Sequence, residues 1–161
     1  MVGRQWRTCA WRGIASAGAA ILAVAGLSAC GADAALAERL EHLAAQPVGR
    51  SVDLSTATPF AWDELAVFGQ YFPKKRACKV LALSWWGCFR LPYPRPDDGS
   101  PVLAVFLNGG EVVRSVQLPR CGVRLVPRGD PGSRVPAGNR RFTVSSGNLS
   151  CAGNERLLVQ D

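Results

Sequence analysis

The first 29 residues most constrain what this chain can fold into, because they differ in charge and hydropathy from everything that follows. Residues 1–12 contain three arginines and no acid, and residues 13–29 carry no charge and are rich in alanine and glycine. A basic segment followed by a short apolar one is typical of a secretory signal peptide. The uncharged stretch also falls short of the roughly 20 strongly apolar residues of a membrane-spanning helix. We therefore predict export of the chain, with the folded part beginning near residue 30, rather than an N-terminal transmembrane anchor.

The apolar segment ends in a short motif, Leu27-Ser28-Ala29-Cys30. It resembles the lipobox of bacterial lipoproteins, in which an aliphatic residue and two small residues precede the cysteine that carries a diacylglyceryl thioether. The resemblance covers residues 1–30 and implies cleavage before Cys30 and a lipid anchor on that cysteine. Two or more acyl chains anchor a protein stably, whereas one binds a membrane only marginally. Gly31 stands where enteric lipoproteins kept at the inner membrane have Asp, which slightly favours the outer membrane and a periplasm-facing domain.

Removal of residues 1–29 leaves 132 residues, which suits one small domain. We predict a lipidated N-terminus with a tether helix over residues 30–48 and a single globular domain over residues 49–161. The whole chain has 19 basic and 12 acidic residues and a net charge of +7, and the loss of three arginines lowers the charge to +4. Much of the basicity therefore belongs to the signal segment, and we predict no nucleic-acid partner.

Four cysteines remain once Cys9 has left with the signal segment and Cys30 has been lipidated, namely Cys78, Cys88, Cys121 and Cys151. In an exported domain they predict two disulfides with three possible connectivities. We favour Cys78–Cys88 and Cys121–Cys151, because each closes a self-contained segment. Ten helical residues span about 15 Å and bridged Cα atoms lie within about 7 Å, so the chain must turn back near Trp85-Trp86-Gly87. A zinc tetrathiolate is the alternative, but no CxxC pair occurs, and we predict neither metal nor cofactor.

The remaining sequence alternates short apolar runs with turn signals. We predict helices over Ala34–Gln46, capped by Asp33, and from Lys74 onward, and strands over Ser51–Leu54, Leu65–Phe68, Val102–Leu107, Val112–Leu118, Phe142–Val144 and Arg156–Val159. Asn108-Gly109-Gly110 joins two of them as a hairpin. The first helix either packs on the domain or lies along the membrane. This pattern predicts an α+β fold with a small antiparallel sheet and one or two helices, stapled by two disulfides.

One stretch carries a second resemblance. Phe60-Ala61-Trp62-Asp63-Glu64-Leu65-Ala66-Val67-Phe68-Gly69-Gln70-Tyr71 resembles a signature of small uncharacterised bacterial lipoproteins, F-x-W-D-x-L-x-V-F-x-x-Y. The resemblance covers twelve residues. That family has no agreed activity, so it implies something about the fold alone.

Catalytic signatures are weak in this sequence. His42 is its single histidine, lies in the predicted first helix and is expected at the surface, which disfavours Ser-His and Cys-His chemistry. Trp62 and the strand after it are expected to bury Asp63 partly. A buried carboxyl can act as an acid or can simply accept backbone hydrogen bonds. Asp97-Asp98 is explained by a turn. A hydrolase or other enzyme centred on Asp63 is therefore an alternative to a non-enzymatic protein.

Basic residues provide the strongest indication of binding. Lys74, Lys75, Arg76 and Lys79 form either an anion-binding site or a solvated face. A possible anion-binding patch consists of Arg120, Arg124, Arg128, Arg134, Arg140 and Arg141, with Arg114 before it and Asp130 as the one acid in the stretch. Arginine suits phosphate and carboxylate groups, although arginine-rich codon usage also explains its abundance. We predict a non-enzymatic module, tethered to the membrane by lipid, that binds an anionic envelope component or an envelope protein. A purely structural lipoprotein is the remaining alternative.

Overall fold

The computed structural model describes residues 29–69, 71–94, 102–119, 122–130, 132–147 and 156–161, with side chains from Asp33 onward. Within these ranges the helices are α1 (Ala29–Ala44), α2 (Lys74–Val80) and α3 (Trp85–Arg90). The strands are β1 (Ser51–Asp53), β2 (Glu64–Phe68), β3 (Val102–Asn108), β4 (Glu111–Leu118), β5 (Val123–Val126), β6 (Arg134–Pro136), β7 (Arg141–Ser146) and β8 (Arg156–Gln160). The predicted α+β class is confirmed, but the described strands form two four-stranded sheets instead of one small sheet, and a third helix is present.

Sheet II has the strand order β4-β3-β2-β6 and is antiparallel throughout. The predicted hairpin is confirmed, and β3, which is apolar on both faces, lies between β4 and β2 as expected. The turn differs by one residue, because Asn108 pairs with Glu111 and leaves Gly109-Gly110 as the two-residue loop. Both glycines have positive φ, +59° and +82°, which a two-residue turn of this kind requires at both central positions.

Sheet I has the strand order β1-β7-β8-β5. The predicted closing strands pair antiparallel as β7 and β8, whereas β5 lies parallel to β8 on the other side. Both β5 and β6 fall in a stretch that the sequence predicts to be loop. The strand β6 is only three residues long, ends in Pro136 and pairs at the edge of sheet II, where proline is tolerated. Elements this short gain their order from pairing rather than from local propensity.

The main core lies between the two sheets, and α1 closes one open side of it. The helix packs along β4 at the edge of sheet II and also contacts β5 and β8 in sheet I. Leu36, Leu40 and Ala44 are buried in this core. The helix therefore packs on the domain, which is one of the two predicted arrangements.

The predicted start of α1 is wrong, because the helix begins at Ala29 and Asp33 lies inside it rather than at its cap. The alanine-rich sequence here favours helix without a cap.

The outer face of sheet II carries a second apolar layer formed with α2 and α3. Ala66, Phe68 and Val105 pack there against Ala77 of α2 and Leu81, which directly follows that helix. The predicted Cys78–Cys88 disulfide is present and joins the two helices, with 5.4 Å between the Cα atoms. The disulfide requires the chain to reverse between the two cysteines, and it does so. The reversal lies at residues 81–84, just before Trp85-Trp86-Gly87, which are the first residues of α3. Cys121 and Cys151 lie outside the described residues.

Candidate functional site

The structure divides the predicted arginine patch. Arg134 is not available for a ligand, because its Nη1 lies 2.8 Å from Glu64 Oε2 and its Nε donates to the Val80 carbonyl at 3.0 Å. It thereby ties β6, β2 and α2 together. Arg124 is half-buried on β5, and Arg120 lies outside the described residues. The described arginines of the predicted patch therefore lie on different elements, and their binding of an anion stays a prediction.

Arg128, Arg140 and Arg141 do come together, at one end of the strands of sheet I around two carboxylates. Arg140 Nε lies 3.4 Å from Asp53 Oδ2, and the charges of Arg128 and Arg141 act on Asp161. A depression of about 380 Å³ in this region is lined by Asp53, Gly138, Asn139, Arg140, Arg141 and Asp161. The carboxylates offset most of the arginine charge, so this cluster is a weak site for an anion.

Hydroxyl groups account for the electrostatics of this cluster. Asp161 accepts hydrogen bonds from the Thr143 and Ser51 hydroxyls, and these hold the pKa of Asp161 below its ordinary value, with Arg128 and Arg141 adding to the effect. The pKa of Asp53 is lowered mainly by the side chain of Ser55, with a smaller effect from the Ser55 backbone N–H, whose nitrogen lies 2.8 Å from Asp53 Oδ1. Both carboxylates are thus stabilised in the charged form, as expected for groups that organise strand ends.

Asp63 is exposed, which corrects the prediction that Trp62 and β2 bury it. Its Oδ2 accepts a hydrogen bond of 2.7 Å from the N–H of Gly109, so it holds the β3–β4 turn. Trp62 turns away from it and packs edge-on against Phe106 with 5.5 Å between ring centroids. An enzyme centred on Asp63 stays a prediction that none of these contacts supports. His42 is exposed, as predicted for a surface residue.

The α2–α3 pair presents a different kind of surface. None of the α3 side chains is buried. The helix is held in place by the disulfide, by the Ser84 hydroxyl that accepts from Gly87 N–H at 3.2 Å, and by Lys74, whose Nζ donates to the Leu91 carbonyl at 3.0 Å. The position of α3 is therefore set by hydrogen bonds at its two ends and by the disulfide to α2. Its outward side chains are left free of the core.

Three large aromatic rings occupy this exposed surface. Trp85, Trp86 and Phe89 are 76%, 51% and 67% exposed. The rings stack on one another, with 5.2 Å between the centroids of Trp85 and Trp86 and 5.6 Å between those of Trp86 and Phe89. The Arg90 guanidinium lies 5.2 Å from the Trp86 ring centroid. Contiguous exposed apolar surface of this kind typically marks a site of interaction with a protein or a membrane.

Cations are frequent in the segment that carries these rings. Residues 71–94 contain Lys74, Lys75, Arg76, Lys79 and Arg90 and no acid. Lys75, Arg76, Lys79 and Arg90 are exposed. The Arg90 guanidinium lies over Trp86, whereas that of Arg76 lies over Phe72, 5.4 Å from the ring centroid. We call the exposed side chains of the α2–α3 pair the basic aromatic face, namely Lys75, Arg76, Lys79, Trp85, Trp86, Phe89 and Arg90. The sequence predicts either an anion-binding site or a solvated face at the lysines. It does not predict the exposed rings, because the chain reversal that the disulfide requires is expected at the two tryptophans. The available signal was two tryptophans and a phenylalanine in a segment without acids.

Other classes of site have little support in the described parts of the chain. There, no group of three or more His, Cys, Asp or Glu side chains is placed to hold a metal ion. Among the helices described, none is long and apolar enough to cross a membrane. Comparison with known proteins finds no matching family model, no matching curated protein and no matching solved structure. The basic aromatic face is therefore the candidate functional site, on its own geometry.

Proposed function

We propose that this protein is a lipid-anchored envelope protein whose domain is a non-enzymatic binding module for an anionic envelope component. The anchor is a lipid on Cys30, for which the support is the motif Leu27-Ser28-Ala29-Cys30 after an uncharged segment. The observation that carries the binding role is the basic aromatic face, since it exposes stacked rings among cations. Cations attract anionic groups, and aromatic side chains supply contact area with little loss of conformational entropy on binding.

The binding surface in this proposal is the basic aromatic face and not the arginine cluster at the end of sheet I. Asp53 and Asp161 accompany the arginines of that cluster, whereas no acid occurs in residues 71–94. The segment that forms α2 and α3 therefore carries five positive charges and no negative charge of its own. Exposed charge of this kind is screened by salt over about 8 Å at physiological ionic strength, so the binding should weaken as salt rises.

Two measurements test the proposal. The intact mass of protein extracted from membranes should correspond to a chain that begins at Cys30 and carries acyl groups, and Cys30→Ser should leave the uncleaved precursor. A product cut elsewhere and without lipid contradicts the anchor.

Binding is tested on a phosphate-bearing resin. Lys75→Glu/Lys79→Glu should elute at clearly lower salt than the matched control Arg39→Glu/Arg50→Glu, which makes the same change in net charge at exposed positions outside both basic clusters. Equal shifts for the two variants mean that only total charge matters, which contradicts a binding role for this face.

A further inference from the structure

We propose that the basic aromatic face docks on the anionic surface of the same bilayer that holds the Cys30 lipid, with its rings at the boundary between head groups and acyl chains. The inference rests on the proposed function and names the binding partner as the membrane itself. Its first support is chemical. Tryptophan is enriched at membrane interfaces, and Lys and Arg near the surface are attracted to anionic lipid head groups. Trp85 and Trp86 are exposed and stacked on each other, the exposed Arg90 lies over Trp86, and the neighbouring helix α2 carries further exposed cations.

The position of α1 gives the second support. The helix packs along β4. Its later part lies near the end of that strand, because Glu41 is close to Gly122, a few residues after β4. A Cβ built on Gly122 would be 3.4 Å from Glu41 Oε1. Its early part lies beside the middle and start of β4, where the Arg114 charge acts on Asp33. Cys30 precedes Asp33 by about one helical turn. The N-terminus of α1 therefore points towards the end of sheet II that carries the β3–β4 turn.

The start of α3 lies towards the same end of sheet II. The helix α2 finishes at Val80, whose carbonyl accepts from Arg134, and Arg134 pairs with Glu64 at the start of β2. Glu64 is opposite Leu107, close to the β3–β4 turn. The chain then reverses, and the carbonyls of Phe89 and Leu91 at the end of α3 lie within reach of Lys74 at the start of α2.

The two helices therefore run in opposite directions, and Trp85 begins α3 at the end where α2 finishes. An acyl chain on Cys30 and the first ring of the basic aromatic face would then lie at one end of the domain. A bilayer that holds the lipid lies within reach of the rings. The tether between them is short, because α1 packs on the domain from Leu36 onward.

Tryptophan fluorescence of the membrane-extracted protein in vesicles tests this docking. In a Trp62→Phe background, Trp85 and Trp86 are the tryptophans that remain after Cys30. The vesicles contain phosphatidylcholine brominated on its acyl chains, with or without phosphatidylglycerol. Docking should quench about half of the emission in vesicles with phosphatidylglycerol and clearly less without it. Because the lipid keeps the protein on the vesicle, the quenching reports contact by the rings alone.

Matched variants identify the cations that hold the face on the bilayer. In the same background, Lys75→Glu/Lys79→Glu should lose most of the quenching, whereas Arg39→Glu/Arg50→Glu should keep it. Quenching that is absent from the parent protein overturns the proposal and leaves a protein partner to explain the exposed rings. Equal loss in both variants also overturns it.

Failure of the anchor is distinguishable from failure of the docking. The intact mass reports acylation of Cys30 independently of fluorescence. If the protein is recovered without acyl groups, the proposed anchor fails, and flotation of that protein with the phosphatidylglycerol vesicles tests the face by itself. Flotation that is lost in Lys75→Glu/Lys79→Glu supports docking of this face, and the absence of flotation overturns it.

Discussion

At the scale of single residues, several polar side chains that suggest ligand binding hold strands together instead. Arg134 joins β6, β2 and α2 through Glu64 and the Val80 carbonyl. Asp63 accepts from the backbone of Gly109, and Asp161 accepts from two hydroxyls on β1 and β7. Each of these partners is distant in sequence, so the structural roles become visible only when the sheets are assembled.

Asp161 makes stability depend on pH in a direction that can be measured. Hydrogen bonds from Thr143 and Ser51 lower its pKa in the folded state, so the ionised form stabilises the fold above the ordinary carboxyl pKa of about 3.9. This stabilisation is lost as the pH falls through the lowered value. Thr143→Val should raise the pKa of Asp161, measured by NMR titration, and should make the free energy of unfolding fall less steeply below about pH 4.

The control for this prediction is Thr143→Ser, which keeps the hydroxyl and should titrate like the parent protein. An unchanged pKa for Asp161 in Thr143→Val means that the Thr143 hydrogen bond does not govern the titration.

At the scale of elements, α3 depends on its covalent link far more than on packing. Its side chains are not buried, whereas both sheets contribute to the core. A disulfide across a loop of this length contributes about 3 kcal/mol in the chain-entropy account. The link therefore decides whether the basic aromatic face has a defined shape.

Removal of the bridge should release α3 and leave the sheets folded. In Cys78→Ala/Cys88→Ala, amide hydrogen exchange should become fast over residues 85–90, while β3 and β2 keep their protection. Reduction of the parent protein is the matched control and should give the same pattern. A uniform loss of protection across both sheets would show that α3 and the sheets open as one unit.

At the scale of the whole molecule, α1 joins the two sheets at their open side. Leu40 is fully buried between them, and Leu43 is only partly buried at the same core. A lipid on Cys30 would then be connected to the domain by a packed helix rather than by a flexible tether. In the proposed arrangement, that packing would set the orientation of the domain at the membrane.

This role of α1 predicts a large effect of one truncation. Leu40→Ala should lower the free energy of unfolding by about 2–5 kcal/mol, because it leaves a cavity where the helix meets both sheets. Leu43→Ala should cost clearly less, since that side chain is partly exposed. Chemical denaturation followed by circular dichroism measures both variants. Similar costs for the two would mean that α1 is not anchored through Leu40.

Local patterns in the sequence determined the α+β class, the β3–β4 hairpin, the pairing of Cys78 with Cys88 and the exposure of His42. Each depends on neighbouring residues, such as the continuous apolar run of β3 followed by glycines with positive φ. The tertiary structure decided the existence of β5 and β6, the start of α1, the division of the arginines between elements and the exposure of Trp85, Trp86 and Phe89. These features depend on which distant segment lies opposite, and a linear pattern does not contain that information. The N-terminal motif at Cys30 predicts where the domain works, and the fold provides the surface that it would turn towards the membrane.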